Sequence, residues 1–294
     1  MIYLIDASVY VFRAYYSMPD DMLDKTGAPV NAVYGFGRFL IDLLRSTKAG
    51  HVAVAFDESL TSSYRNEIYP EYKANRDPAP EDLLMQFGHS RALAQALGLV
   101  TLSSNRYEAD DIIGTLATQG RAAGHEITIV TRDKDLAQLL QPGDVYWDYA
   151  ADKRFGFDDI GEQFGAAADR FADFLALMGD SVDNIPGVPG IGKKTASVIM
   201  AHYPDLESVY DALEDLHALP IRGAKTLGAK LAANRDAAFL ARKLTRVECG
   251  VPLEVGVTDL KRKPVDEAQI DALFDQLNFG PLLRRQALQL EAGA

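Results

Sequence analysis

Four short apolar runs, each followed by a longer amphipathic stretch, limit the folds open to the first two-thirds of this chain. Strand followed by helix, repeated along the chain, is typical of a mostly parallel sheet covered by helices. The sequence therefore predicts an α/β domain over residues 1–170. The predicted strands are at 2–5, 51–56, 100–102 and 126–130, and the predicted helices at 33–45, 109–123 and 134–140.

The remainder of the chain has a different pattern. From about residue 171 helical periodicity dominates, interrupted by glycines and prolines at 186–192. Within 251–290 we predict one possible strand and a helix near 266–276. We therefore expect a second, mainly helical domain over 171–294.

Composition narrows the cellular setting. Cys249 is the single cysteine among 294 residues, so an internal disulfide is excluded and a reducing compartment is favoured. The N-terminal MIYLIDAS lacks the basic start of a secretion signal, and no segment approaches the ~20 apolar residues of a membrane span. We expect a cytoplasmic protein without a membrane partner.

Acidic residues follow the predicted strands. In open parallel sheets, ligands bind beyond the carboxyl ends of the strands, where these side chains would meet. A helix cap is the alternative explanation for any single acid, but nine exceed what capping needs and would repel one another without cations. The nine are Asp6, Asp57, Glu108, Asp110, Asp111, Asp133, Asp135, Asp180 and Asp183.

The residue types in this set indicate the metal. Oxygen ligands without nearby His or Cys suit Mg²⁺, for which Mn²⁺ can substitute, and argue against zinc. Two such ions about 4 Å apart can activate a water and stabilise the leaving oxygen in phosphodiester hydrolysis. The formal net charge of −12 argues at first against a nucleic-acid partner, but bound cations would offset much of it.

Residues 185–196 have the pattern of a helix-hairpin-helix. Glycines permit a tight turn whose N–H groups approach a phosphate, and the next helix directs its positive end at the anion. A plain Gly-rich turn or a nucleotide-phosphate loop is the alternative, although the spacing is not GxxxxGK[ST]. We expect the DNA-backbone contacts to come from Gly187, Gly190, Gly192, Lys193, Lys194, Thr195 and, elsewhere, Arg65 and Arg222.

A polar excursion at 58–82 interleaves tyrosines with basic residues and contains three prolines. Tyrosines can stack on unpaired bases while Arg and Lys contact phosphates, and a cation near the scissile phosphate stabilises the transition state. A solvated loop with tyrosines packed beneath it explains these residues equally well.

Several long motifs make the chain similar to a known family. They are LIDAS at 4–8, AVYGF at 32–36, VAFD at 54–57, YRNEIYPEYKANR at 64–76, EADDIIG at 108–114, TRDKDLAQLL at 131–140 and GDSVDNIPGVPGIGKKTA at 179–196. Segments 222–247 and 273–285 continue the likeness more loosely. The chain resembles the bacterial 5′ nucleases, which include the N-terminal domain of DNA polymerase I and the flap endonucleases. We expect it to be a standalone member, without polymerase or proofreading domains.

The resemblance implies a fold and a set of roles. It implies a PIN/5′-nuclease-like sheet, a helical arch at about 58–85, and a helix-hairpin-helix that holds duplex DNA and often binds K⁺. The nine acids take the metal positions of the family. Lys73 and Arg76 take the places of catalytic cations in the arch, with Tyr72 beside them.

We therefore expect a monomeric, structure-specific 5′-3′ exonuclease or 5′-flap endonuclease of DNA replication and repair, which uses two metal ions. Its partners would be DNA with 5′ flaps, nicks or frayed 5′ ends, or RNA–DNA primers. A non-catalytic protein that binds branched DNA is the alternative. A haloacid dehalogenase-type phosphatase is disfavoured, because that family needs an acid two positions after Asp6, where Ser8 stands.

Overall fold

Six β-strands form one sheet in the computed structural model, which describes residues 1–58 and 62–290. The order across the sheet is β3-β2-β1-β4-β5-β6; β1 to β5 pair in parallel and β6 pairs antiparallel with β5. The strands are β1 (Ile2–Asp6), β2 (Val52–Asp57), β3 (Val100–Ser104), β4 (Ile127–Val130), β5 (Val145–Asp148) and β6 (Lys153–Gly156).

The four predicted strands are confirmed as β1 to β4, with ends shifted by one or two residues, whereas β5 and β6 were not predicted. Both are four residues long, and β6 begins with Lys153 and Arg154. Such short strands lack a run of apolar residues, and charged side chains are common on a strand at the edge of a sheet.

Helices cover both faces of this sheet and form most of the chain after residue 156. The α-helices are α1 (Ala7–Ser17), α2 (Asn31–Thr47), α3 (Tyr64–Ile68), α4 (Glu81–Ala96), α5 (Ala109–Ala122), α6 (Ile160–Phe164), α7 (Phe171–Met178), α8 (Lys193–His202), α9 (Leu206–Asp211), α10 (Ala224–Ala233), α11 (Arg235–Thr245), α12 (Glu267–Gln276) and α13 (Pro281–Leu288). Short 3₁₀ helices are Lys134–Leu139, Phe157–Asp159, Ala168–Arg170, Asp215–Ala218 and Val257–Leu260.

Three sequence predictions about elements need correction. The helix predicted at 134–140 is a 3₁₀ helix, Lys134–Leu139. The possible strand at 251–290 is absent from the described part of the chain, where only Lys261 forms an isolated bridge, to His51. Of the predicted arch, the described residues 62–85 are helical only in α3 and at the start of α4, and 70–75 form turns. Residues 59–61 of that prediction lie outside the described part.

The core consists of two layers, one on each face of the sheet. Successive strand residues point to opposite faces, so Leu4 packs in the layer with α5 and α7, and Ile5 packs in the layer with α1, α2 and α4. The second layer also contains Ile270 and Phe274 of α12. The last helices therefore return to the sheet domain, because their apolar side chains complete its core. No helix in the described part of the chain is long and apolar enough to cross a membrane.

The strand order creates a crevice beside the central strand. From β1 the chain continues to β2 on one side, and later to β4 on the other side. At such a switch point, the connections leave in opposite directions and a ligand site opens at the carboxyl ends of the strands. Asp6 ends β1, and Asp133 follows β4 by three residues. The fold thus places these two acids on either side of the crevice.

Phe274→Ala tests whether α12 is part of the sheet domain's core. Phe274 is fully buried, so its loss should lower the free energy of unfolding by about 3–5 kcal/mol. Chemical denaturation measures this. Leu282→Ala is the control, since Leu282 is 59% exposed and should change stability by less than about 0.5 kcal/mol. Equal effects of the two variants would contradict the described packing.

Candidate metal centre

One cavity of 880 Å³ lies at the carboxyl ends of the strands. It gathers acids that are far apart in sequence, as expected for a switch-point crevice. Asp111 and Asp180 are absent from its lining. The seven predicted acids that line it are Asp6, Asp57, Glu108, Asp110, Asp133, Asp135 and Asp183.

Four of these acids form what we call the unshielded cluster: Asp6, Asp57, Asp110 and Asp133. Within residues 1–58 and 62–290, none of the four forms an ion pair. They come from the end of β1, the end of β2, the first turn of α5 and the residue that caps the 3₁₀ helix after β4. Four separate elements thus bring negative charge to one place, and in those ranges no basic side chain lies within ion-pair distance of it.

Hydrogen bonds fix the orientation of three members of the unshielded cluster. The Thr131 hydroxyl donates to Asp6 Oδ2 at 2.8 Å, and the Ala109 N–H donates to Asp57 Oδ1 at 2.9 Å. The Asp135 N–H donates to Asp133 Oδ1 at 2.9 Å. Each bond engages the named oxygen, so the carboxylates are held in position by neutral donors rather than by cations.

The electrostatic cost of this cluster appears in its pKa values. Burial raises the pKa of Asp6 to about 8, repulsion from Asp57 and Asp133 adds to the rise, and the Thr131 hydroxyl opposes it. Burial, followed by repulsion from Asp133 and Asp6, raises the pKa of Asp110 well above its ordinary value. Burial also raises the pKa of Asp133. A cluster with such pKa values gains free energy by binding protons or cations.

Four other predicted acids are paired with basic side chains of the chain itself, and three of them line the cavity. Lys134 Nζ lies 2.9 Å from Asp135 Oδ1 and 3.0 Å from Asp180 Oδ2. Lys73 Nζ lies 2.8 Å from Glu108 Oε2 and 3.9 Å from Asp183 Oδ2, and Arg76 pairs with Asp183. We call Asp135, Asp180 and Asp183 the shielded group.

The predicted metal role of Asp111 is not supported. Asp111 is fully buried, and its two oxygens accept from both terminal nitrogens of Arg65 at 2.7 and 2.8 Å, and from the N–H groups of Glu108 and Glu248 at 3.0 and 2.8 Å. Asp110 and Asp111 are neighbours on a helix, where adjacent side chains point about 100° apart. One therefore faces the cavity and the other faces the protein interior.

Arg65 was predicted to contact DNA, and its surroundings contradict that role. It is 2% exposed. Besides Asp111, its guanidinium donates to the carbonyls of Leu244 and Arg246 at 2.8 and 3.0 Å. Arg65 thus ties α3 to the first turn of α5 and to the end of α11. Breaking such a buried pair from one side costs about 3–5 kcal/mol, so its role is structural.

Tyr72 does not offer its ring to nucleotides. It is 3% exposed and packs in the core, and its hydroxyl donates to Glu108 Oε2 at 3.1 Å and to Asp183 Oδ2 at 3.3 Å. Burial, followed by the charges of Glu108 and Asp183, raises the pKa of Tyr72, so the hydroxyl keeps its proton. It positions the acids to which Lys73 binds.

The turns at 71–76 are docked on the loop at 180–184. The Lys73 N–H donates to the Asp183 carbonyl at 3.0 Å, Asn75 Nδ2 donates to the Ser181 carbonyl at 2.9 Å, and Asn184 Nδ2 donates to the Glu71 carbonyl at 2.7 Å. Asp180 and Asp183 do not lie on a helix, because α7 ends at Met178. A tight turn bridges Asp180 to Ile185 instead.

Apolar side chains, which we call the apolar wall, line the same cavity as the carboxylates. It was not predicted, because its members lie on two helices with no sequence motif in common. Its residues are Val9, Phe12, Leu84 and Phe87, with Pro78 beside them. Thr131 and Lys134 were missed as well, although both lie inside the TRDKD motif.

The predicted hairpin lies between α7 and α8, which pack against each other. Gly190 adopts φ +76°, which favours glycine, and Gly187 approaches the backbone of Met178 so closely that a Cβ would lie 2.3 Å from its carbonyl carbon. Gly192 caps α8. Lys193 and Lys194 are exposed, Thr195 is partly buried, and Arg222 is exposed before α10. None of these residues lines the cavity.

The carboxylates of the unshielded cluster are chemically suited to bind a divalent cation, although they do not converge on one position. In the described ranges, no group of three or more His, Cys, Asp and Glu side chains stands in the arrangement of a metal-ligand set. Mutual repulsion favours such separation, and a cation would draw the carboxylates together. The available ligand atoms are carboxylate oxygens, which Mg²⁺ and Mn²⁺ prefer.

Family models match most of the chain. The model described as "5'-3' exonuclease, N-terminal resolvase-like domain" matches residues 1–165, and that described as "5'-3' exonuclease, C-terminal SAM fold" matches 166–268. The chain is 33% identical over 257 residues to a 5′-3′ exonuclease of Buchnera aphidicola, a match that covers 87% of this chain and 90% of that one.

Longer relatives are also similar. The chain is 41% identical over 278 residues to DNA polymerase I of Pseudomonas aeruginosa, which covers 94% of this chain and 30% of the relative. The chain is 37% identical over 293 residues to DNA polymerase I of Rhizobium leguminosarum, a match that covers 97% of this chain and 28% of the relative. The chain thus spans less than a third of the length of these polymerases.

Solved structures share the fold. The T5 5′-exonuclease with bound zinc ions has a TM-score of 0.67 at 20% identity, with 98% of both chains covered. The catalytic core of Rad2 in complex with DNA substrate has a TM-score of 0.63 at 15% identity, covering 98% of this chain and 91% of that one. These likenesses confirm the predicted α/β fold with its helical C-terminal region.

The unshielded cluster predicts an unusual pH dependence of stability when divalent ions are removed by a chelator. The pKa of Asp6 is about 8 in the folded chain and near 4 in the unfolded chain, so the folded state retains a proton that the unfolded state releases between these values. The stabilisation is complete below about pH 4 and disappears as the pH rises towards 8. The melting temperature should therefore fall from pH 5.5 to pH 8, as followed by circular dichroism.

Asp6→Asn is the matched control for this titration. The amide cannot ionise, so the fall in melting temperature over the same pH range should be smaller than in the parent. Saturating Mg²⁺ should also reduce the fall in the parent. Identical pH profiles of parent and variant would show that Asp6 does not carry the raised pKa.

Proposed function

The chain belongs to the 5′-3′ exonuclease family, and we propose that it hydrolyses a phosphodiester bond near the 5′ end of branched or frayed DNA with divalent cations. The observation that carries this proposal is the unshielded cluster at the switch point of the sheet. In the described part of the chain these four carboxylates form no ion pair, although Asp6 is buried and the other three are half-buried. Their mutual repulsion favours the binding of cations, and a stabilising role alone does not explain such a set.

We propose Mg²⁺ as the natural ion, with Mn²⁺ able to replace it. Asp6, Asp57, Asp110 and Asp133, with Glu108 beside them, would hold the first ion. The shielded group would hold a second. When bound, two such ions supply an activated water and stabilisation of the leaving oxygen. Asp111 is not a ligand in this proposal and acts through Arg65.

Lys73 and Arg76 provide positive charge beside the carboxylates in the absence of DNA. When a phosphate enters the cavity, their partners Glu108 and Asp183 can turn to a cation, and the two basic groups can turn to the phosphate. Charge developing on the phosphate in the transition state is then stabilised by groups that are already in place. The Tyr72 hydroxyl holds Glu108 and Asp183 in position beside these two basic groups.

The apolar wall gives the cavity a second function. The carboxylates and the side chains of Phe12, Leu84 and Phe87 line the same cavity. A nucleotide has a charged phosphate and an apolar base face. Cations held by the carboxylates would attract the phosphate, and the apolar wall would contact the base of the same terminal nucleotide. The wall would exclude water from the side opposite the phosphate.

Duplex DNA would be held away from the cavity by the hairpin at 186–192 and α8. Lys193 and Lys194 are exposed there, and the N–H groups at the start of α8 suit a phosphate. The Rad2 catalytic core, which shares the fold, was solved with DNA substrate, and the T5 flap endonuclease with DNA and metal ions. These neighbours support a DNA substrate.

The proposal also covers the types of DNA substrate, an ion at the hairpin, the oligomeric state and the domain boundaries. We propose 5′ flaps, nicks and RNA–DNA primers as substrates, K⁺ as an ion of the hairpin, and a monomeric enzyme. We also propose that 1–170 forms the nuclease domain and 171–294 the DNA-binding region. That division is functional, since α12 packs in the core of the sheet domain.

A DNA-binding protein without catalysis is the second candidate. Exposed Lys193 and Lys194 would serve it equally well. It would not need the unshielded cluster, whose repulsion is unfavourable to folding.

Asp133→Asn tests the catalytic proposal. Removing one charge from the unshielded cluster should lower the rate of cleavage of a 5′-flap substrate by at least about 100-fold, because the cations lose a ligand. Binding of the same DNA should change little, since the hairpin is untouched. Cleavage is followed with end-labelled DNA in Mg²⁺, and binding by fluorescence anisotropy in Ca²⁺.

Asp42→Asn is the control, because Asp42 is an exposed acid of α2 and does not line the cavity. It should retain the parent's rate. Parent-like cleavage by Asp133→Asn would rule out the proposed centre, and absence of cleavage by the parent would favour the non-catalytic candidate.

A further inference from the structure

Lys134 lies between the two acids of the TRDKD motif but serves a different part of the site. It begins the 3₁₀ helix Lys134–Leu139, and its ammonium bridges Asp135 to Asp180, which comes 45 positions later in the chain, at 2.9 and 3.0 Å. No sequence pattern indicated this role, since a lysine between two aspartates reads as a solvated residue.

The bridge engages the oxygens that a second cation would use. Asp180 Oδ1 accepts from the N–H groups of Val182 and Asp183 at 2.8 and 3.3 Å, and Oδ2 accepts from Lys134. Both oxygens of Asp180 are therefore occupied, which is consistent with its absence from the cavity lining. Lys134 also holds one oxygen of Asp135.

The two halves of the site differ in charge. The unshielded cluster has four acids and no ion pair in the described part of the chain. The shielded group has three acids, which pair with Lys134, Lys73 and Arg76. A divalent cation is attracted strongly to the first half and weakly to the second, because the basic groups repel it.

The Lys134 ammonium can move away from its acidic partners more easily than the basic groups of Lys73 and Arg76. Its side chain is 41% exposed, whereas that of Lys73 is 11% exposed and that of Arg76 34%. Lys134 also lies outside the cavity lining, while Lys73 and Arg76 belong to it. A partly exposed ammonium on a flexible stem can move into solvent without disturbing the core.

We propose that Lys134 is a built-in counter-ion that shields Asp135 and Asp180, so that divalent cations load in two unequal steps. The first ion enters the unshielded cluster with Lys134 in place. The second binds only when the ammonium withdraws from the two carboxylates. Lys134 is a positioning residue in this scheme, since it acts through the acids. The inference rests on the proposed function, because it assumes that the shielded group holds an ion.

Mn²⁺ binding to the full chain without DNA tests the inference. Isothermal titration calorimetry, together with the electron paramagnetic resonance signal of free Mn²⁺, gives the number of ions and their affinities. In Lys134→Met the second ion should bind at least roughly tenfold more tightly than in the parent, since one repelling charge is gone. The affinity for the first ion should change much less.

Two further variants separate charge from side-chain volume. Lys134→Arg keeps the charge and should bind Mn²⁺ like the parent. Lys153→Met removes an exposed lysine of β6 and should also bind like the parent. Parent-like affinities in Lys134→Met, or loss of the second ion from it, would overturn the inference.

Folding is checked by the melting temperature with chelator and with Mn²⁺, using Lys134→Gln as a second neutral variant. A neutral variant that is unstable in chelator but recovers in Mn²⁺ would support the inference, because the ion then replaces the missing charge. A neutral variant that is unfolded with and without Mn²⁺ would overturn it. If the parent binds Mn²⁺ in two steps but does not cleave DNA, the proposed function is wrong. The effect of Lys134 on Mn²⁺ affinity can still be measured in that case.

Discussion

Repulsion among four carboxylates, one buried and three half-buried, is the interaction on which the rest of this structure depends. The parallel sheet delivers Asp6 and Asp57 at the ends of adjacent strands, and the next connections add Asp110 and Asp133. Low local polarity magnifies the repulsion, as the raised pKa values of Asp6, Asp110 and Asp133 indicate. A fold that tolerates such a cluster must stabilise it from outside, and must gain when a cation enters.

The surrounding ion pairs provide that stabilisation. Arg65 and Asp111 join α3, α5 and the end of α11 through buried bonds, and thus hold the first turn of α5, with Asp110, against the sheet. Lys73 connects the turns at 71–76 to Glu108. The basic side chains are therefore arranged around the unshielded cluster and not within it. This arrangement leaves the cluster's charge available to ions, while the surrounding acids are each paired with a basic side chain. Those acids are Glu108, Asp111, Asp135, Asp180 and Asp183.

The sequence was sufficient for four of the six strands and for gathering most of the acids in one cavity, because a strand that ends in Asp places that Asp at the carboxyl edge. The sequence did not predict the role of a residue whose side chain points away from that of its neighbour in sequence. Asp111 follows Asp110 but faces inward, where it accepts an N–H at the start of α5 and acts partly as the cap considered for single acids. Tyr72 and Arg65 lie in a polar segment yet are buried, because their partners come from residues 108–111, 183 and 244–246. Such long-range pairs leave no local pattern.

Crystals soaked in Mn²⁺ offer the most direct test of the central claim, that uncompensated charge determines where the first ion binds. At low Mn²⁺ concentration, the strongest peak in the anomalous difference map should lie among Asp6, Asp110 and Asp133, with Lys134 still on Asp135 and Asp180. A strongest peak beside Asp180, or at any point remote from those three acids, would contradict the account.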